Sequence, residues 1–283
     1  MQFSLFPRRT AALCLLLAAA GAAAGIAFGL ATAQPPPLYE AAGPVHAASS
    51  AAASTARSEP GSAGTSAPAS ESALPPMVCL TFDDGPSRTT PAVLEALAAE
   101  EVPATFFVVA NENNERYLPL IRQAQQAGHE IALHSASHRY SDIYRSTDAF
   151  WADIELLRQR IAPYADAAAI ACLRFPGGST NTVSRKYGGD AIMQDLKAQA
   201  EARGWRWVDW NVSAEDAAGK KLSAEEICRN VTRGSEGRDR CIVLMHDSAT
   251  TGTTAEALPA IIRWYKENGY AFCTVTQLYD ALE

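Results

Sequence analysis

Residues 77–86 read MVCLTFDDGP. The run from Met77 to Phe82 is apolar except for Thr81, and two carboxylates, Asp83 and Asp84, follow at once. Gly85-Pro86 then turns the chain. A short, nearly continuous apolar run fits a strand covered on both faces, as in parallel sheets flanked by helices. An Asp just before a helix commonly caps it, but one cap does not need two carboxylates. Neighbouring side chains at a strand end point to opposite sides, so the two can do different work.

Working outward, the same design recurs. Strand candidates are 77–82, 104–109, 130–133, 171–175, 205–212, 241–245 and 271–275. Helical patterns near 90–100, 115–127, 147–161, 190–203, 222–233 and 254–268 separate them. Thr89-Thr90-Pro91 reads as a cap with proline in the first turn, and Gly128, Gly204 and Gly269 sit where helices should stop. Strand–helix alternation gives parallel strands with helical crossovers. The expected fold class is α/β, a barrel or near-barrel of about seven parallel strands, with a doubly wound open sheet as the alternative.

Five of the seven strands are followed by chemistry. Asp83 and Asp84 follow the first, and His134 and His138 (HSASH) follow the third. Arg174 opens RFPGGS, Asp216 follows the 205–212 run, and His246-Asp247 end CIVLMHD. In parallel α/β barrels the strand C-termini share one face, and active sites are built there. Taken singly, these residues have plainer readings: a cap, surface histidines, a structural ion pair, a core histidine. Their conjunction at matching strand ends favours one site. On a helical turn His134 and His138, at i and i+4, would share a face and could grip one metal ion. No Glu follows the first His, so this is not the HExxH pattern. Neither a GxxxxGK[ST] phosphate loop nor a GxSxG nucleophile elbow occurs. SRK and GRDR read as solvated surface.

The rest of the 283-residue chain divides by composition. Residues 10–33 carry no charge and follow Arg8-Arg9. Such a run is a membrane anchor, which needs roughly 20 apolar residues, or a signal peptide cleaved after Ala31-Thr32-Ala33. Its length favours the anchor, and either reading puts the rest of the chain outside the cytoplasm. Residues 34–75 are rich in Pro, Ala, Ser and Gly and cannot bury enough apolar surface to order themselves, so they read as a tether. Residues 76–283 form one domain. The net charge of −7 argues against a nucleic-acid partner. Five of six cysteines fall in the domain, none in CxxC spacing, so a thiolate metal site is not expected. Cys79, Cys172, Cys241 and Cys273 read as small buried hydrophobes. Cys228–Cys241 is the one local disulfide to consider.

TFDDGP, HSASH, RFPGG, the DWNVSAED region and LMHD stand in the order of the polysaccharide deacetylase family, the NodB-like carbohydrate esterases, which the chain resembles over residues 76–283. The resemblance implies a distorted (β/α) barrel and metal-dependent removal of an N-acetyl group from an amino sugar. It implies Asp84, His134 and His138 as metal ligands and Asp83 as the general base acting on the nucleophilic water. Arg174 resembles the arginine that orients that base, and His246 the acid that protonates the leaving amine. Asp216 matches that histidine's acidic partner, with Asp209 the other candidate. Gly177, through a nearby backbone N–H, and Leu244, beside the acetyl methyl, resemble substrate contacts. The chain departs from the pattern twice: Gly177 stands where Tyr is common, and Ala217 where Trp is usual.

The implied cofactor is a divalent metal ion, zinc first, although other divalent ions fit the ligand set. The implied partner is a polysaccharide, peptidoglycan or a chitin-like glycan, met by a monomer whose N-terminal segment is in the membrane. An O-acetyl esterase of xylan type and a non-catalytic glycan-binding domain are the rival functions. Pure binding, however, needs no general acid.

Overall fold

The computed structural model describes residues 74–283. The apolar segment 1–33 and residues 34–73 of the Pro/Ala/Ser-rich stretch lie outside the described residues. Among the described residues no helix is long and apolar enough to cross a membrane.

Strand β1 (Met77–Asp83) leads to α1 (Thr90–Ala99), β2 (Thr105–Val109), α2 (Pro119–Gln126) and β3 (Glu130–Ser135). Then come α3 (Tyr140–Ile143), α4 (Thr147–Ile161), β4 (Cys172–Leu173), α5 (Arg185–Gly188) and α6 (Ile192–Ala202). The chain continues through β5 (Arg206–Trp207), β6 (Val212–Ser213), α7 (Ala224–Ser235), β7 (Arg240–His246), α8 (Gly252–Glu267), β8 (Ala271–Phe272) and α9 (Val275–Asp280). Every strand pair is parallel. Seven strands run in the order β5-β4-β3-β2-β1-β7-β6, and β8 pairs with the start of β1.

The expected strand 205–212 is in fact two strands at opposite edges of this order. Only residues 208–211 separate β5 from β6, so the two edges lie within at most roughly 18 Å of each other. The linking segment bonds to both sides: the Val208 N–H donates to the Leu173 carbonyl at 2.9 Å, and the Asn211 N–H to the Ile242 carbonyl at 3.1 Å. The sheet therefore curls into a distorted (β/α) barrel, and the open doubly wound alternative does not hold.

Alternation along the strands sorts side chains into two cores. Val78, Leu80 and Phe82 of β1 face the helices with Phe106, Ile131, Leu133, Val243 and Met245. Cys79 faces the barrel axis with Phe107, Ala132, Cys172, Val208 and Cys273. The axis of so narrow a barrel takes small residues, so cysteines serve there as small hydrophobes. All five domain cysteines are free, so the Cys228–Cys241 disulfide is not formed.

One expected cap is absent. The Thr89 side chain does not cap α1. Its hydroxyl donates instead to the Ser248 carbonyl at 2.8 Å, and that of Thr90 to Asp247 Oδ2 at 2.5 Å. Both hydroxyls tie the β1–α1 turn to the loop after β7, a link within the mouth of the barrel.

Candidate active site

The C-terminal ends of β1, β3, β4 and β7 open on a cleft of about 350 Å³. Asp83, Asp84, His134, His138, Tyr140, Gly177, Trp210, Asp216, Ala217, Leu244 and His246 are among its lining residues. Register explains this gathering. Asp83 is the partner of His246 across β1 and β7, so both occupy the same level. His134 shares the inward phase of Ala132 on β3, and Leu244 that of His246 on β7.

Asp83 and Asp84 separate in role because they separate in environment. Asp83 is 4% exposed and meets Arg174 Nη1 at 2.7 Å. Arg174 is wholly buried. Its Nη1 also donates to Thr81 Oγ1, its Nε to the Val208 carbonyl and its Nη2 to the Asp209 carbonyl. Phe107 lies 4.0 Å beneath its guanidinium. Burial opposes ionisation of Asp83, but Arg174, with His134 and His246, outweighs it and holds the carboxyl below the usual carboxylate range.

Asp84 takes a left-handed backbone, φ +70°, and so points away from Asp83 into the cleft. Its Oδ1 lies 3.2 Å from His138 Nε2 and 3.5 Å from His134 Nε2, yet it is buried and makes no hydrogen bond. His134 Nδ1 sits 2.8 Å from the Arg174 carbonyl. A carbonyl can only accept, so Nδ1 carries the proton and Nε2 offers its lone pair to the cluster. Burial, the largest influence, holds the His134 imidazole below its ordinary value, in the neutral form a metal needs. The three ligand atoms lie within 4.8 Å of one another. An orphaned carboxylate oxygen facing two imidazole nitrogens fits a divalent cation, and the three ligands leave coordination positions open.

The histidine pair differs from expectation in one respect. His134 belongs to β3 and His138 to the loop after it, not to a helical turn. The approach is made by a clamp from α4. Asp153 accepts from Ser135 Oγ and the N–H groups of Ala136 and Ser137 at 2.6, 2.7 and 3.0 Å. Ser135 Oγ in turn accepts from the His138 N–H at 2.8 Å. His138 is held at φ +53°, the sparsely populated backbone that clusters at functional sites.

Opposite lies a second pair. His246 Nδ1 is 2.8 Å from Asp216 Oδ1, and Asp216 Oδ2 accepts from the His246 N–H and from Thr254 Oγ1. Burial alone would lower the His246 pKa. The hydrogen bond and charge of Asp216, helped by Asp83 and Asp84, reverse this and raise it to about 9. Asp209, the other acidic candidate, is turned away and accepts from the N–H and hydroxyl of Ser179.

Three residues here escaped the sequence reading. Asp153 lies mid-helix without any local motif. Trp210 lines the cleft where Ala217 leaves space, and a Cβ on Gly178 would come within 3.0 Å of its ring. Tyr140 also faces the cleft. An aromatic next to a site loop was the available signal for both.

Comparison with known proteins agrees with this geometry. The polysaccharide deacetylase family model matches residues 71–194. A peptidoglycan-N-acetylglucosamine deacetylase of Bacillus cereus is 30% identical over 71% of this chain and 87% of its own length. The chain belongs to the polysaccharide deacetylase family. Members of this family are hydrolases acting on carbon–nitrogen bonds. A bifunctional xylanase/deacetylase of Pseudobutyrivibrio xylanivorans is 29% identical over 72% of this chain. The matched region spans only 30% of that protein, and 65% of YheN of Bacillus subtilis. Among solved deacetylase-family structures, the catalytic domain of peptidoglycan N-acetylglucosamine deacetylase from Eubacterium rectale is 38% identical. It superposes with a TM-score of 0.67 over 71% of this chain and 89% of its own. The Xyl-CE4 domain of a multidomain xylanase from the hindgut metagenome of Trinervitermes trinervoides is 26% identical, with a TM-score of 0.59 over 74% and 91%.

Proposed function

We propose that this chain is a metal-dependent N-deacetylase that hydrolyses the acetamide of N-acetylated amino sugars in a cell-surface polysaccharide, with peptidoglycan as the substrate. The observation that carries this reading is the arrangement across one cleft. An ionised, arginine-paired Asp83 and an Asp216-paired His246 flank the Asp84–His134–His138 cluster.

Asp84, His134 and His138 would hold the ion, zinc first. When bound, such an ion supplies Lewis-acid polarisation of the acetyl carbonyl and lowers the pKa of water. Asp83, kept anionic by Arg174, accepts a proton from water as its oxygen bonds the carbonyl carbon. His246, kept protonated by Asp216, delivers a proton to the sugar nitrogen as the carbon–nitrogen bond breaks. The products are acetate and a free amine. Leu244 and Trp210, which line the cleft, would give the acetyl methyl an apolar surround, and a backbone N–H near Gly177 would serve the oxyanion.

Support for peptidoglycan comes from the relatives named as peptidoglycan deacetylases. We further propose that residues 1–33 anchor the chain in the membrane and that 34–75 let the domain reach an extracytoplasmic glycan. The xylanase-linked relatives favour a second reading, an O-acetyl esterase with the same machinery.

The test is acetate release by the purified full chain from peptidoglycan, from chitooligosaccharides and from acetyl-xylan. Each is run as prepared, after chelation and after zinc return. Zinc-restored release from peptidoglycan supports the proposal. Release from acetyl-xylan alone supports the esterase. No release from any of them, with metal bound, overturns both.

A further inference from the structure

Gly177 stands where a side chain cannot. Its φ is +79°, and a Cβ built on it would lie 2.6 Å from the hydroxyl oxygen of Tyr140. The space beside the β4 loop is thus filled by a phenol that arrives from another element, the start of α3.

That phenol is firmly placed and chemically free. The Tyr140 ring meets His138 edge-on at 5.7 Å and Tyr144 at 5.6 Å. Tyr144 is itself pinned by donating to the Pro176 carbonyl at 2.7 Å, so the packed rings leave Tyr140 little room to swing. Its own hydroxyl has no hydrogen-bond partner among the described residues. It faces the cleft between His138, one of the cluster residues, and Gly177. A phenol is a donor as well as an acceptor. A half-buried hydroxyl with no protein partner, aimed into a polar cleft, is a group built to meet something that enters.

We propose that Tyr140 is a catalytic residue of this site, its hydroxyl donating a hydrogen bond to the acetyl carbonyl oxygen as negative charge develops there. The inference rests on the deacetylase reading and adds a residue to it. His246, the proposed proton donor, and Leu244 enter the cleft from β7, whereas Tyr140 and Gly177 line it next to each other beside His138. A donor fixed before reaction and aimed where charge develops stabilises the transition state more than the ground state. Its effect should therefore appear in kcat and not in KM.

The experiment is Tyr140→Phe in the full chain, assayed for acetate release from an N-acetylated glucosamine oligomer. Bound zinc per chain and melting temperature are measured alongside. The hydroxyl makes no hydrogen bond among the described residues, so the variant should fold and load metal as the wild type does. The expected result is a kcat lower by on the order of 10²-fold, with KM, zinc content and melting temperature unchanged. An unchanged kcat overturns the proposal. So does a rise in KM alone, which would make Tyr140 a contact to a sugar hydroxyl. If the wild-type chain releases no acetate, the deacetylase reading itself has failed. That outcome is distinct from an active wild type matched by an active Tyr140→Phe.

Discussion

Asp83 and His246 are register partners on two adjacent parallel strands, β1 and β7. Paired positions in neighbouring strands lie roughly 4.8 Å apart and project to the same side. The barrel thus sets a carboxylate below its ordinary range and an imidazolium above its ordinary range at the same height of one cleft. The separation in pKa is what assigns proton acceptor and proton donor.

Removing the charge of Asp83 separates chemistry from folding. Asp83→Asn should lower acetate release by about 10²–10⁴-fold while zinc content stays at the wild-type level. Full release with metal bound would mean that another group is the base. Arg174→Met should act on stability as well, because it leaves a buried carboxylate unpaired. Such a loss costs about 3–5 kcal/mol, a fall of roughly 6–20 °C in melting temperature for a domain of this size. The Asp83 carboxyl is held low in the folded state, so its contribution is present above the unfolded pKa. It is lost as pH falls through the folded value. The gap between wild type and Arg174→Met should therefore narrow in acid, which thermal melts across pH will show.

Metal removal should be readable without any substrate. Asp84 Oδ1 is buried without a hydrogen bond beside two imidazoles, so an ion satisfying it stabilises the fold by mass action. At free zinc one hundred times its dissociation constant the gain is about 2.7 kcal/mol. Chelation should lower the melting temperature and zinc should restore it. In Asp84→Ala both the bound zinc and the shift should disappear. Normal zinc content in that variant would refute the ligand set.

The His246–Asp216 pair sets an alkaline limb. His246 titrates at about 9 because Asp216 outweighs the effect of burial. Acid catalysis by His246 should hold at neutral pH and decline as pH rises through about 9. In Asp216→Asn the limb should move down towards the ordinary histidine value near 6.5. The stability linkage has the same sign: a raised folded pKa adds stability below about 6.5, which is lost as pH climbs through the folded value. A kcat profile identical in the two proteins would show that His246 is not the proton donor.

Gly85 tests the turn that carries both carboxylates. A Cβ there would lie 2.1 to 2.3 Å from the carboxylate of Asp247. Asp247 cannot easily yield. It is fully buried, its N–H donates to the Asp83 carbonyl, and its Oδ2 accepts from Thr90. Gly85→Ala should cost about 1–3 kcal/mol as an overpacked site and should depress activity by moving Asp83 and Asp84. Calorimetry and the acetate assay together check this, and an unperturbed, fully active variant would contradict it.

Much of this protein is legible along the chain because local chemistry is short-range. MVCLTFDDGP, HSASH, RFPGG and CIVLMHD each join an apolar run to polar residues at its end. Alternation with helical segments then requires parallel strands whose C-termini share a face. That reasoning reached the fold class, the strand ends of the cleft, and Asp83, Asp84, His134, His138, Arg174, Asp216 and His246 as candidates, and the family resemblance added Gly177 and Leu244. It could not see that residues 205–213 span both edges of the sheet. Val208 and Asn211 make that closure through backbone hydrogen bonds to distant strands, and backbone bonds leave no trace in side-chain pattern. It could not choose between Asp209 and Asp216 by spacing alone. The barrel decides which acid meets His246 and which turns to Ser179. Nor could it find Asp153, Trp210 or the Tyr140 hydroxyl, whose work depends on neighbours 16 to 37 positions away in the chain. Residue types and their order determined the chemistry on offer. Contacts between residues far apart in sequence exist only after the sheet closes, and those contacts decided which side chain faces which.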